Sequence, residues 1–150
     1  GKDRVAQLVE RLEISDVCRF AGSLPYQQMP DAFRAADVFV LPSIATPEWQ
    51  EQFGMSLIEA MACGTPVVTS DSGAPAEVGG DGAVKVDPRD VSSIARALRA
   101  LADDEEHWRE VAAAGKKRAA EFTWRRSAEQ VLSVYDRALA VARAAREAKG

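Results

Sequence analysis

The sequence predicts an α/β fold, a parallel sheet flanked by helices. Three observations carry this. Short runs such as Val38 to Leu41 and Pro66 to Thr69 are almost wholly apolar, as expected for strands covered on both faces. Other segments place apolar residues at helical spacing. The two kinds alternate along the chain, which is the pattern of βαβ units.

Residues 3 to 13 read as an amphipathic helix with Val5, Leu8, Val9 and Leu12 on one face. Val17 to Ala21 is a short strand. Met29-Pro30-Asp31 opens a helix to about Ala36, since Pro and Asp suit a first turn. Val38 to Leu41 is a buried strand, and 43–53 is a polar, irregular loop. A helix over about 54–62 is stopped by Gly64 and Pro66, and a strand over 66–69 follows. Ser70 to Gly82 is a turn-rich connection with about one helical turn near Pro75. Gly82 to Val86 is a further strand. Asp90 caps a helix from 91 to about 102 whose core stripe is Ile94, Leu98 and Leu101. A helix runs from about 104 to 119. Thr123 caps the last one, about 124 to 146, with the stripe Ala128, Val131, Leu132, Tyr135, Ala138, Leu139 and Ala142.

A chain of 150 residues reads as one domain, 1–150, with a real core. It is 47% hydrophobic and 28% charged, ordinary for a globular protein. The formal net charge of −4 and the lack of a basic run argue against nucleic acid as the main partner. No apolar stretch approaches ~18 residues, so no membrane span is expected. The opening residues carry no signal-peptide pattern. A cytoplasmic protein with reduced thiols is expected. Peripheral attachment to a membrane stays open for a full-length protein. Cys18 and Cys63 sit in apolar contexts and read as reduced core thiols. The single histidine, His107, reads as exposed on a polar helix start. With no Cys/His cluster and no Gly-x-Ser-x-Gly, neither a zinc site nor a hydrolase triad is expected. Without Gly-x-Gly-x-x-Gly, a dinucleotide enzyme is disfavoured too.

The chemistry concentrates in Glu51-Gln-Phe-Gly-Met-Ser-Leu-Ile-Glu59, two carboxylates separated by seven residues. Phe53 to Ser56 open a helix. Its first-turn N–H groups lack partners and suit an anion such as a phosphate. Carboxylates accept hydrogen bonds only, and a sugar or ribose diol supplies paired donors. Together these features describe a nucleotide sugar. The plainer reading stays beside it, with Glu51 a solvated loop charge and Glu59 a surface helix glutamate. The apolar neighbours of Glu59 also count against a free charge there.

The string resembles the retaining glycosyltransferases of family 4, which have the GT-B architecture, in their C-terminal donor-binding domain. Four further blocks share the resemblance: Phe20-Ala21-Gly22-Ser23-Leu24-Pro25, Ala36 to Ser43, Gly64-Thr65-Pro66-Val67-Val68 and Phe122-Thr123-Trp124. The resemblance implies a Rossmann-like sheet and a nucleoside diphosphate sugar as substrate. It also implies retention of configuration and no metal or other cofactor. It makes Glu51 the glutamate that contacts the transferred sugar near the anomeric centre. The backbone of Phe53, Gly54, Met55 and Ser56 meets the diphosphate and sugar. Glu59 holds the ribose hydroxyls, and the Gly22 to Leu24 turn meets the base through main chain. The loop before Glu51 is longer than the family's short form, so Glu48 competes with Glu51 for the first role. The adjacent Gln-Phe-Gly favours Glu51.

Against the family pattern, no acceptor-binding N-terminal domain is encoded here. No match is found for the Arg and Lys that clamp the donor phosphates. The expectation is therefore a partial donor domain, its last helix left to pack elsewhere or to self-associate. The competing expectation is a non-catalytic nucleotide-binding or interaction module.

Overall fold

The computed structural model describes residues 2–147. Seven α-helices and three strands are found among them. The helices are α1 (Lys2–Arg11), α2 (Met29–Arg34), α3 (Met55–Cys63), α4 (Gly73–Gly79), α5 (Val91–Asp103), α6 (Glu105–Ala119) and α7 (Trp124–Glu147). The strands β1 (Phe39–Leu41), β2 (Val67–Ser70) and β3 (Val84–Val86) form one parallel sheet in the order β1-β2-β3. Phe39 pairs with Val67, and Val68 with Val84.

β2 lies in the middle, and all four of its residues are buried. Its period-2 geometry sends neighbours to opposite faces. Val67 packs with Phe33, Leu57, Ala60, Met61 and Val78. Val68 packs with Val86 and Leu101, with Ile94, Leu98 and Trp108 around them. Fully burying such a valine contributes about 1.5–3 kcal/mol, which is why the run carries no polar alternation. The buried hydroxyls have partners on β1's side: Thr69 Oγ1 donates to Leu41 O at 3.0 Å and Ser70 Oγ to Ser43 O at 2.7 Å. The Trp108 indole N–H donates to Asp37 O at 2.7 Å and fastens α6 to the start of β1.

Local chemistry sets the helix ends. Asp90 accepts from Ser92 N–H, Asp104 from His107 N–H, and Thr123 Oγ1 from Arg126 N–H, three N-caps that fit the expected starts. Gly64, at φ 84°, closes α3 in the left-handed conformation.

Several expectations need correction. Val17 to Ala21 forms no strand; Val17 is 73% exposed. A strand exists only through a neighbour's ladder, and none lies beside this segment. The outer edge of β1 is likewise unpaired among the described residues. The helix over 3–13 forms as α1, but Val5, Leu8 and Leu12 are exposed, so their stripe faces no core. The turn near Pro75 is a full helix of seven residues, α4, because Pro75 sits in its first turn where a missing N–H costs nothing. His107 is half-buried rather than exposed. Both thiols are free and half-buried; Cys63 packs against the core as expected, and Cys18 belongs to neither core cluster. The stripe of α7 is exposed throughout, from Val131 and Leu132 to Tyr135 and Leu139.

Candidate functional site

In an open parallel sheet, ligands bind beyond the carboxyl ends of the strands. Here β1 and β2 end at Leu41 and Ser70, and the loops leaving them wall a cleft of about 460 Å³. Ser43, Gln50, Glu51 and Gln52 form one wall, and Ser72 and Glu77 belong to the other. Its polar groups are hydroxyls, amides and carboxylates, interleaved with Ala45, Gly73, Ala74 and Pro75, and no Lys or Arg lines it. Such a surface suits a ligand rich in hydroxyl donors.

Glu51 folds back onto the start of α3. Its Oε1 accepts from Gly54 N–H at 3.1 Å and from Phe53 N–H at 3.5 Å. The carboxylate thus sits at the positive end of the helix, where an anion is stabilised. Gly54 makes the turn possible. Its φ is 81°, and a Cβ there would come within 2.9 Å of Leu57 Cδ1. The N–H groups of Met55 and Ser56 find no acceptor among the described residues. Of the four amides expected to meet a ligand, two are therefore engaged by Glu51 and two are free.

Glu59 lies on another hollow of about 410 Å³, with Tyr26, Met29, Phe33 and Arg34. The Tyr26 hydroxyl donates to its Oε1 at 3.2 Å. That hydrogen bond, then the carboxylate's charge and slight desolvation, push the phenol pKa above its ordinary value. Phe53 and Met55 turn their side chains to a third, apolar hollow of about 480 Å³ beside Phe122 and Trp124. Leu24 is 40% exposed and lines neither the Glu51 cleft nor the Glu59 hollow. The structure thus joins Glu51 to Phe53 and Gly54 directly, and sets Glu59 on a separate surface one helix face away. Among the described residues no three His, Cys, Asp or Glu side chains gather as metal ligands.

Sequence reasoning missed Tyr26 and Glu77. Tyr26 stands just beyond the Phe20–Pro25 block, and an aromatic with a polar tip was the available signal. Glu77 lies in the stretch read as a loop. Only the helix that orders it brings it to the cleft.

The family described as "Glycosyl transferases group 1" matches residues 1–118. The chain belongs to that family. Among curated relatives of this group 1 chain, O-antigen chain mannosyltransferase B of Escherichia coli is 39% identical over 135 residues, covering 89% of this chain and 34% of that protein. The D-inositol 3-phosphate glycosyltransferase of Kineococcus radiotolerans is 37% identical over 147 residues, covering 91% and 33%. The chain therefore spans about a third of the length of these relatives. Sucrose-phosphate synthase from Thermosynechococcus elongatus superposes with a TM-score of 0.76 at 29% identity, covering 93% of this chain and 34% of that one. The parallel sheet and its helices are those of the C-terminal, Rossmann-like domain of GT-B glycosyltransferases. No helix of this group 1 chain, among the described residues, is long and apolar enough to cross a membrane.

Proposed function

We propose that this chain is the donor-binding part of a glycosyltransferase that moves a sugar from a nucleoside diphosphate sugar to an acceptor with retention of configuration. The observation that carries the proposal is the cleft at the carboxyl ends of β1 and β2. In a group 1 chain it presents Glu51 beside a helix start with two free amides. Glu51, with Glu77 across the cleft, accepts hydrogen bonds from the sugar hydroxyls. Met55 and Ser56 N–H groups face the leaving diphosphate, and oriented donors of this kind stabilise the charge that develops as it departs. When a ligand draws Glu51 away, Phe53 and Gly54 N–H groups join them. Glu59 takes the ribose diol, and the backbone at Leu24 borders the base.

In this reading residues 1–150 are part of one donor domain, and the acceptor is held by a region of the full-length protein outside them. Transfer needs no metal, works on the cytoplasmic side and permits peripheral membrane attachment. The exposed stripe of α7 supports a contact role beyond the donor site, either with another region of the full-length protein or with a second copy.

The test is calorimetric titration of the chain with UDP, GDP and ADP, each with and without an attached hexose. One nucleotide should bind, and its sugar form should bind more tightly. Binding of none of them would overturn the donor-site reading.

A further inference from the structure

Arg118, in the last turn of α6, reaches two walls at once. Its Nε donates to Val78 O at 3.0 Å and its Nη2 to Glu77 O at 2.8 Å. Both carbonyls belong to the last turn of α4, where they lack helical partners. Nη1 is paired with the Glu121 carboxylate. The guanidinium carbon lies 4.7 Å from the centroid of the Phe122 ring, within cation–π range. Phe122 in turn meets Phe53 edge to face, with centroids 5.8 Å apart. Phe53 belongs to the turn whose amides hold Glu51.

Space has been cleared for this side chain. A Cβ on Gly80 would come within 2.9 Å of Arg118 Nε, and one on Gly82 within 2.6 Å of Arg118 Cβ. The Arg118 side chain is 26% exposed, and its bond to Val78 O is partly buried.

We infer that Arg118 is a positioning residue for the Glu51 cleft. One side of its planar fork fixes α4, which carries Glu77. Its flat face fixes Phe122, and through Phe122 the Phe53–Gly54 turn. The relative placement of Glu51 and Glu77 thus depends on a residue that touches neither side chain in the cleft. Lysine cannot replace it, because an ammonium is a point charge with neither the fork nor the flat face. The link to sugar binding rests on the function proposed above. The link to the geometry of the turn does not.

Two variants of the full chain test this, Arg118→Lys and Phe122→Leu. The second leaves the bonds to α4 intact and removes the ring that meets both Arg118 and Phe53. The first readout needs no ligand. Hydrogen exchange of the Gly54 amide should quicken about tenfold in both variants, while the Val68 amide in β2 keeps its protection. The second readout compares UDP with UDP-glucose, and GDP with GDP-mannose. The nucleotide should bind as in the parent, while the extra affinity given by the sugar should fall about tenfold, the loss of roughly one good contact. Unchanged Gly54 exchange in both variants, or equal quickening at Gly54 and Val68, overturns the inference. If the parent gains nothing from the sugar, the proposed function fails, and the Gly54 exchange still decides the role of Arg118.

Discussion

The hydroxyl of Tyr26 donates a hydrogen bond to Oε1 of Glu59, 33 residues away in sequence and 3.2 Å away in space. The contact ties the segment before α2 to the middle of α3. It also occupies one oxygen of the carboxylate to which the proposed function gives the ribose diol. On that proposal a nucleotide displaces Tyr26 or shares Glu59 with it.

This contact has a pH signature. The phenol ionises above its ordinary pKa of 10.0 because Glu59 accepts its proton in a hydrogen bond and repels the phenolate. Glu59→Gln should lower the Tyr26 value toward that of a free tyrosine, measured by NMR of ring-labelled protein. The stabilisation this contact gives is whole below the unfolded phenol's pKa. It is lost as pH rises through the higher folded value. A Tyr26 titration that ignores Glu59→Gln would mean the bond does not form in solution.

Glu59→Ala should weaken binding of the accepted nucleotide with or without its sugar. Hydrogen bonds to a charged group contribute roughly 1.5–3 kcal/mol, so the loss is about tenfold or more. Calorimetry on the folded variant measures it. Unchanged affinity would remove Glu59 from the ribose role.

Glu51→Gln should leave nucleotide affinity alone and reduce the added affinity of the sugar form. The amide oxygen of Gln can still accept from Gly54 N–H, so the turn should survive the change. Equal losses for nucleotide and nucleotide sugar would shift Glu51 to the phosphate side of the site.

Gly54→Ala should destabilise the chain. The left-handed conformation alone costs an alanine about 1–2 kcal/mol, and the approach to Leu57 adds to it. Thermal unfolding should fall by several degrees, and Glu51 should lose its fixed place at the helix start. An unaltered midpoint would show that the turn relaxes freely.

The exposed stripe of α7 should give the isolated chain a tendency to associate. Leu132→Glu with Leu139→Glu should lower the apparent mass in light scattering and leave the unfolding midpoint unchanged, because neither side chain joins the core. A parent chain already monodisperse as a monomer would end the self-association reading.

Much of the fold was legible from local chemistry. β2 announced itself as an apolar run because both its faces are covered. β1 did so too, although its Val40 is left 36% exposed, so that strand is only half covered. The starts of α5 and α7 were marked by a capping side chain where the first turn needs one. Val17 to Ala21 read as a strand for the same reason and failed, because pairing is a property of neighbours that no run of residues contains. The site was legible as residue types but not as geometry. Glu51 stands three residues before Gly54, a spacing that reaches its own helix start, yet a carboxylate in a loop gives no sign of whether it turns inward or toward a ligand. Arg118 left no mark at all, since its partners Glu77 and Val78 lie some forty positions upstream and are met through their carbonyls.

The two hydroxyls on β2 have a mechanical consequence. Thr69 and Ser70 bolt the end of β1 and Ser43, in the loop just after it, to the central strand. The loop that carries Glu51 is thus a beam clamped at Ser43 and supported again at Gly54. Its mid-span is shortened by the reciprocal backbone bonds between Thr46 and Trp49. A further prop stands at Ala45, whose carbonyl accepts from Arg89 Nη2 at 3.3 Å. The span that carries Glu51 is therefore braced from the sheet, from Arg89 and from its own helix start.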